Sequence, residues 1–565
     1  MKLKTLLLIC SCFLAINLQA TIRYVKTDGT TPAADAANAT SWATACNDLQ
    51  AVINASEAGD EIRVAVGTYK PGANTATPLD RGNFFMLNKA VSIYGGFPAD
   101  ANENTTMDDR ILPSTENQGS ILSGDIDNDG TPEGNAYKIF HIQGNIDNTV
   151  SFDGFTITGA NTGESTRYGG GILIRSCSPT IKNMFITENL AYSGSGIYMG
   201  EYASPFISNV LITNNTALSH GAGMENMYSN PTLFNVTISN NSAKYYGGGI
   251  ANKGSSPTLT DVLISENEAD RGGGMNNDDS NPVLFNVTIS NNFAKGLPPN
   301  ARLGGGGIYN YLSSPTLIDV LIRENEARQG GGIYNVQSNP TLINVTISEN
   351  EAFDGSGISN ARYSSPAIYN SIIWNDNIDN GLGNPSYFHS LVQNVTTPDE
   401  NGNLDGTLDP LFVNAKEGDF RLLENSPCID AGDNKIYLST RELSNFDGEK
   451  DLAGNNRLFG ANIDLGAYEF FSQEPTNIHV VTGQKQYITS YPNPVASGET
   501  ITLQLTEAHK NGNWTLFHLN GNMIQTGKFE NQQEIKIHTA ELASGVYFVK
   551  LSGKSWQATE VVIVR

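Results

Sequence analysis

Between Gly169 and Asn370 one pattern returns eight times. A Gly-x-Gly-apolar step begins at Gly169, Gly194, Gly221, Gly247, Gly272, Gly305, Gly330 and Gly355, with spacings of 25, 27, 26, 25, 33, 25 and 25 residues. Each unit passes through a Ser-Pro or Ser/Asn-x-Pro turn into a segment such as Asn344-Val-Thr-Ile-Ser-Glu-Asn350. A chain that repeats at this period forms a solenoid, because one unit cannot bury its apolar side until a neighbour stacks on it. Within a unit the period is two: in Pro340-Thr-Leu-Ile-Asn-Val-Thr-Ile-Ser348, Leu342, Val345 and Ile347 share one side, and Thr341, Ile343, Thr346 and Ser348 the other. The wealth of Gly, Asn and β-branched residues leaves no room for a helix in each unit. Three short strands and three turns per unit describe one coil of a parallel β-helix, and the crossover rule makes it right-handed.

Asparagine marks the corners. Asn226, Asn252, Asn277, Asn310, Asn335 and Asn360 share one position in consecutive units; Asn189, Asn215, Asn241, Asn267, Asn292, Asn325 and Asn350 share a second. A third position alternates Asn235, Asp261, Asn286, Asp319 and Asn344. Asparagine tolerates left-handed backbone, and stacked amides can hydrogen-bond up a ladder, so turn chemistry accounts for these columns. A Gly-x-Gly that opens a strand is likewise not a nucleotide-binding fingerprint.

The chain predicts an all-β protein: a right-handed parallel β-helix solenoid with an N-terminal cap helix, plus a small C-terminal antiparallel β-sandwich. Residues 1–20 read as a signal peptide, with Lys2 and Lys4 ahead of an apolar run and a break after Ala20. Residues 21–60 form an N-terminal cap with a helix over 47–55. The β-helix spans 61–425, with regular coils over 169–370. A closing segment covers 426–472, a polar linker 473–487, and strong alternation returns over 488–565. No later segment is apolar enough to span a membrane, and a monomer is expected.

The tail from residue 475 carries seven Lys/Arg against six Asp/Glu and the leader two lysines, so the net charge of −24 leaves −27 on residues 21–474. That surface repels nucleic acid and anionic lipid and attracts cations. After removal of the leader only Cys46, Cys177 and Cys428 remain, so buried free thiols are expected, with at most one disulfide.

Three stretches resemble known families. The solenoid resembles the pectate-lyase-like right-handed β-helix superfamily, which hosts lyases, hydrolases, adhesins and inert spacers. Asp409-Pro-Leu-Phe412, Ser426-Pro-Cys-Ile-Asp-Ala-Gly432 and Ile463-Asp-Leu-Gly-Ala-Tyr-Glu469 resemble the closing segment of secreted Bacteroidetes β-helix proteins with variable C-terminal anchors. Tyr491-Pro-Asn-Pro494 (Tyr491, Pro492, Asn493, Pro494), Leu519-Asn-Gly-Asn522 and Leu542-Ala-Ser-Gly-Val-Tyr-Phe-Val549, with Gly545 and Tyr547, resemble the C-terminal sorting domain of the type IX secretion system. That resemblance implies the type IX machinery as a partner, and export across the outer membrane to the cell surface or the medium.

A β-helix lyase needs acidic ligands for calcium and an Arg or Lys base on adjacent coils, and a hydrolase needs clustered carboxylates. The outward positions of the repeats are mostly Thr, Ser, Leu, Asn and Tyr, with Glu225 and Arg323 far apart, so no catalytic residue is assigned there. The favoured reading is a non-catalytic secreted β-helix protein that contacts polysaccharide or another cell. A polysaccharide lyase or glycosidase is the alternative, to be revived by three acidic residues converging in one cleft from 70–150 or 375–460.

Four features stay open. Asp125, Asp127 and Asp129 have the Asp-x-Asp-x-Asp-Gly spacing that wraps a hard cation such as calcium, although an ordinary Asp/Gly turn reads the same way and Ala136 excludes an EF-hand. Glu266, Glu268, Glu324, Glu326, Glu349 and Glu351 gather at one corner, as a solvated ridge or as cation ligands. An eight-residue insertion brings Lys295 and Arg302 near Tyr309 and Tyr334, and rings and cations beside an acidic ridge suit a sugar chain. Finally, Phe234, Thr260, Phe285, Ile318, Ile343 and Tyr369 make an outward apolar row that must be covered or be a contact surface.

Overall fold

A computed structural model describes residues 20–471 apart from 74–75, 115–117, 164–167, 297–303 and 396–400. It also describes residues 488–564 apart from 492–494, 497, 519–522, 541, 543–544 and 554–555. The leader, the linker, Arg302 and Pro492, Asn493 and Pro494 lie outside the described residues.

From Ile172 to Ala294 each coil is built from a four-residue strand, an eight-residue strand and a two-residue strand, as in Ile250–Lys253, Thr258–Ser265 and Glu268–Ala269. These stack into parallel sheets of 11, 19 and 5 strands. Pairing is in register from coil to coil, with Asn252 opposite Asn277 and Leu259 opposite Leu284. The eight extra residues do not disturb it: Asn277 faces Asn310 and Leu284 faces Leu317.

Inward positions read as continuous apolar columns because the same residue type recurs at each rung. Leu233, Leu259, Leu284, Leu317 and Leu342 are at most 1% exposed, as are Ile238, Ile264, Ile289, Ile322 and Ile347. Burying each such side chain contributes about 1.5–3 kcal/mol. The glycines that open each coil are imposed by geometry: Gly272 sits at φ +62°, and a Cβ there would lie 2.4 Å from the Met275 carbonyl oxygen.

The three asparagine columns divide into two kinds. Asn235, Asp261, Asn286, Asp319 and Asn344 are left-handed, and each bends an eight-residue strand or its equivalent. The other two columns lie inside the coil, and it is their neighbours, such as Asn214, Glu266 and Glu324, that turn left-handed. Asn226 donates to Asn252 at 2.7 Å, Asn252 to Asn277 at 2.8 Å, Asn277 to Asn310 at 2.8 Å and Asn310 to Asn335 at 2.9 Å. The second ladder runs from Asn189 to Asn350 and ends on Asp376, which accepts from Asn350 Nδ2 at 2.7 Å. Burial pushes the Asp376 carboxyl up to about 7 against the pull of that hydrogen bond.

Both ends are capped. Helix α1, Leu49–Ala55, takes its N-cap from Asp48, whose carboxylate accepts from the Ala51 amide, and buries Leu49, Val52 and Ile53 on the first coil. The closing segment lies across the outward apolar row. Its helix α2, Asn434–Thr440, packs Tyr437 with Ile463 onto Ile318 and Ile343, and the Arg441 guanidinium sits 3.7 Å from the Phe285 ring. Toward the other end Phe234 stacks on Phe548 of the C-terminal sheet at 4.2 Å, and Phe206 meets the same ring. The apolar row is therefore largely covered by later parts of the chain. Thr346, outward by its parity, is only 1% exposed because Ala467 donates to its hydroxyl.

The closing segment is held by a buried ionic network. Arg457, fully buried, reaches Asp319 at 3.2 Å and Glu469 at 3.5 Å and donates to the carbonyl oxygens of Asp464 and Gly466. The Tyr437 hydroxyl lies 2.9 Å from both Asp319 and Glu449. Burial raises the Asp319 carboxyl to about 7 despite Arg457 beside it. Cys46, Cys177 and Cys428 are buried free thiols.

The C-terminal domain is one five-stranded antiparallel sheet. Its 19-residue strand Thr500–His518 shifts register between Gln504 and His509, so the halves enclose one core containing Leu503, Leu516, Ile535 and Val549. Tyr547 is buried there, on the strand that begins at Gly545.

The amide ladder makes a direct prediction. Asn310→Leu leaves Asn277 and Asn335 without their partner and should cost about 1–3 kcal/mol in denaturant unfolding. Thr237→Leu, on the solvent side of a strand, should change stability by less than about 0.5 kcal/mol.

Candidate functional site

The repeat faces offer little reactive chemistry. On the 11-stranded sheet the outward column runs His141, Leu173, Tyr198, Glu225, Ala251, Asn276, Tyr309, Tyr334 and Ser359, each under 9% exposed. Side chains of neighbouring coils cover one another along the column. Glu225 stands out, with its Oε1 3.9 Å from His220 Nδ1 and its Oε2 unpartnered. Burial pushes its carboxyl up to about 8, against the pull of Ser193 and Lys253, and burial lowers His220 from its ordinary value. One neutral carboxyl beside one neutral imidazole lacks the second carboxylate that glycoside hydrolysis uses.

Tyr309 and Tyr334 do come together, with centroids 5.6 Å apart, but they are 6% and 5% exposed. Val336, Tyr311 and Ala361 pack with them, so little ring face is left for a sugar to stack on. Lys295 is ion-paired with Glu268 of the adjacent coil. Other members of the acidic corner are also engaged: Glu324 pairs with Arg323, and Glu349 accepts from Asn375 at 2.5 Å. Cations and amides thus offset the corner's charge, as a solvated ridge requires.

The acidic convergence lies at the N-terminal end. Strand Ser120–Ser123 pairs with Gly67–Tyr69 on one side and Phe155–Thr158 on the other, and it delivers Asp125 beside Lys70 of the adjacent coil. Asp125, Asp127 and Asp129 place carboxylate oxygens within 4.8 Å of one another, the spacing that ligands of one cation at about 2.3–2.6 Å would have. Left-handed backbone at Asn128 (φ +64°) and Gly130 (φ +70°) folds the loop back on itself. Gly134 makes room for the Asp127 carboxylate, since a Cβ there would lie on Oδ2.

Lys70 Nζ is 3.4 Å from Asp125 and donates to Asn128 at 2.6 Å, while Asp129 accepts from the Thr131 amide and hydroxyl. Asp125 Oδ1 is buried without a partner. One ammonium against three carboxylates leaves the loop negative, so the donor set fits a hard divalent cation.

Beside this loop is a cleft of about 620 Å3 between α1 and the first coils, lined by Asp48, Thr68, Tyr69, Lys70, Asp125 and Asn128. Sequence reasoning found the Asp spacing but not Lys70 or the cleft. Their juxtaposition depends on irregular coils 55 residues apart in the chain, and no repeat marks them.

If the loop binds calcium, millimolar calcium should raise the unfolding temperature through the linkage of binding to folding. Replacing Asp125, Asp127 and Asp129 together by Asn should abolish that rise, as read by scanning calorimetry. A rise that survives the triple substitution would move the site to the Glu324–Glu351 corner.

Two families match the sequence. Residues 140–327 match the family described as right handed beta helix region, and residues 489–565 the secretion system C-terminal sorting domain. No curated protein matches. Among solved structures, the chain is similar to pectate lyase Pel9A, at 16% identity and a TM-score of 0.41, covering 80% of this chain and 97% of that one. XylC in complex with xylose is similar at 11% identity and a TM-score of 0.41, covering 79% and 98%. A rhamnogalacturonan lyase is similar at 14% identity and a TM-score of 0.29, covering 70% and 92%. At these identities and scores they say nothing about the chemistry of this chain. The sorting domain directs export across the outer membrane to the cell surface or extracellular space. The chain thus combines parallel in-register coils, which match a right-handed β-helix region over residues 140–327, with a tail that matches a secretion system C-terminal sorting domain.

Proposed function

We propose that this is an exported polysaccharide-contacting protein that binds rather than cleaves. The observation that carries the reading is the use already made of its carboxylates. Glu449 and Glu469 of the closing segment and Asp319 beneath it are tied to Tyr437, Arg441 and Arg457, and the Glu corner is partly paired. Glu225 stands alone in a covered column. What remains on the long-strand faces is half-buried threonine such as Thr232, Thr237, Thr258 and Thr288, which offers hydrogen bonds without an acid–base pair.

The alternative, a polysaccharide lyase, is favoured by one place. The Asp125–Asp129 loop gathers three carboxylates, of which Asp125 lines the adjacent cleft, and Lys70 beside it supplies the basic residue type that such chemistry uses. Against it, Lys70 is engaged by Asp125 and Asn128, so its ammonium serves as an ion-pair partner and not as a base. The three carboxylates also belong to one turn, an arrangement that wraps a cation without facing a substrate from two sides.

The test takes the exported protein with polygalacturonate and calcium. No growth of the unsaturated-uronate chromophore is the expected result; a chromophore that Lys70→Ala abolishes would establish the lyase. A second expectation concerns the tail. Removal of residues 488–565 should leave the β-helix folded by circular dichroism but retain it in the periplasm. Surface display of that truncation at the normal level would contradict the export role of the tail.

A further inference from the structure

Three columns of left-handed residues run along the solenoid. Two are filled by residues that suit the conformation or carry charge into water: Asn209, Asn235, Asp261 and Asn286 in one, and Asn214, Asn240, Glu266 and Asn291 in the other. The third follows the four-residue strand and runs Ser176, Glu201, Tyr228, Gly254, Asp279, Leu312, Gln337 and Arg362. In two of these coils a second left-handed residue follows at once, Tyr202 and Tyr363, and all have φ between 49° and 66°. Left-handed backbone is unfavourable for a bulky side chain. Gly254 and Asp279 show that this bend can be made by residues that adopt it readily.

The rings gain nothing from burial either. Tyr202 is 84% exposed, Tyr228 51% and Tyr363 73%. An apolar ring in a disfavoured conformation and in water is unfavourable twice over, and it recurs along one edge. Neither the turn nor the core requires tyrosine there, which points to contact with something outside the molecule.

Two further observations indicate what that is. Tyr202 borders a cleft of about 290 Å3 whose walls include Asn145, Asp147, Ser176, Ser178 and Glu201. Ser176 donates to Glu201 at 2.9 Å, and Arg175 reaches the other carboxylate oxygen at 3.3 Å, so Glu201 is oriented at the rim beside the ring. In the next coil the Tyr228 ring lies over Gly254, where a Cβ would come within 2.7 Å of ring carbons. The missing side chain lets that ring lie along the edge.

We infer that the Tyr202–Tyr228 edge, with the cleft beside it, binds a neutral glycan chain laid along the solenoid axis. Flat rings meet the C–H faces of sugar rings, and the amide, hydroxyl and carboxylate groups of the cleft meet their hydroxyls. Asp147 and Glu201 at the cleft disfavour a polyuronate. The edge is one residue wide and interrupted at Gly254 and Asp279, which suits a chain one sugar ring across better than a protein surface of about 800 Å2. This inference rests on the polysaccharide-contacting reading and adds its location and sugar class.

The test is affinity electrophoresis of the full chain in gels containing xyloglucan, mixed-linkage β-glucan or polygalacturonate, with calorimetric unfolding in parallel. Expected are retardation by at least one neutral polymer, a tenfold or greater loss of that affinity in Tyr202→Gly/Tyr228→Gly, and an unfolding temperature that does not fall. Glycine relieves the backbone at both positions, so a drop in unfolding temperature would mean the rings are structural and would overturn the inference. Unchanged retardation of the double variant, or retardation by polygalacturonate alone, would overturn it while leaving the polysaccharide reading in place. No retardation by any polymer would remove both. A concentration-dependent dimer in sedimentation that the double variant abolishes would make the edge an interface between copies and replace the glycan.

Discussion

The two buried amide ladders are the interaction on which the remaining architecture depends. An asparagine inside a coil must satisfy its carboxamide or pay for burying it, and the position that satisfies it is the same asparagine one coil away. In the second ladder the Nδ2 of Asn241 donates to the carbonyls of Ile212 and Ser239 as well as to Asn267 Oδ1, so each rung ties backbone and side chain together. A slip of one residue would part the amides from their partners, setting Asn310, for example, against Tyr334 or Val336 instead of Asn335. Register is therefore set by polar partners, while the apolar columns supply most of the burial energy.

A solenoid fixed in this way has ends and an uncovered flank, and both are managed by sequence that does not repeat. Helix α1 covers the first coil. The closing segment lays Tyr437 and Ile463 over Ile318 and Ile343, and it is anchored through Arg457 on Asp319. That aspartate occupies a column otherwise held mainly by asparagine, where an amide would satisfy the bend equally well but could not hold a buried guanidinium. A bend residue has become the attachment point of a segment 138 positions away.

The repeat made the stack, its inward columns and its pairing legible, because periodicity two and a fixed unit length leave few alternatives. Outward positions were harder to read. Tyr309 and Tyr334 lie in one column as the repeat requires, but spacing cannot tell a ring platform from rings that cover one another. The cover over Phe285 and Ile318 could be demanded from the sequence but not identified, since it comes from a non-repeating segment. The three asparagine columns looked alike because Asn serves both a left-handed bend and a buried ladder. The left-handed tyrosines could not be found without backbone angles. The Asp125 loop was legible as a motif; Lys70 and the cleft beside it were not.

Native-state hydrogen exchange in Asn267→Leu tests most directly whether the ladders hold the stack. If they do, protection should fall most in the coils of Asn241 and Asn292 and recover with distance along the solenoid, because each coil depends on its neighbours. An equal loss in every coil, or no loss beyond the substituted strand, would show that the apolar columns alone set the register and would contradict this account.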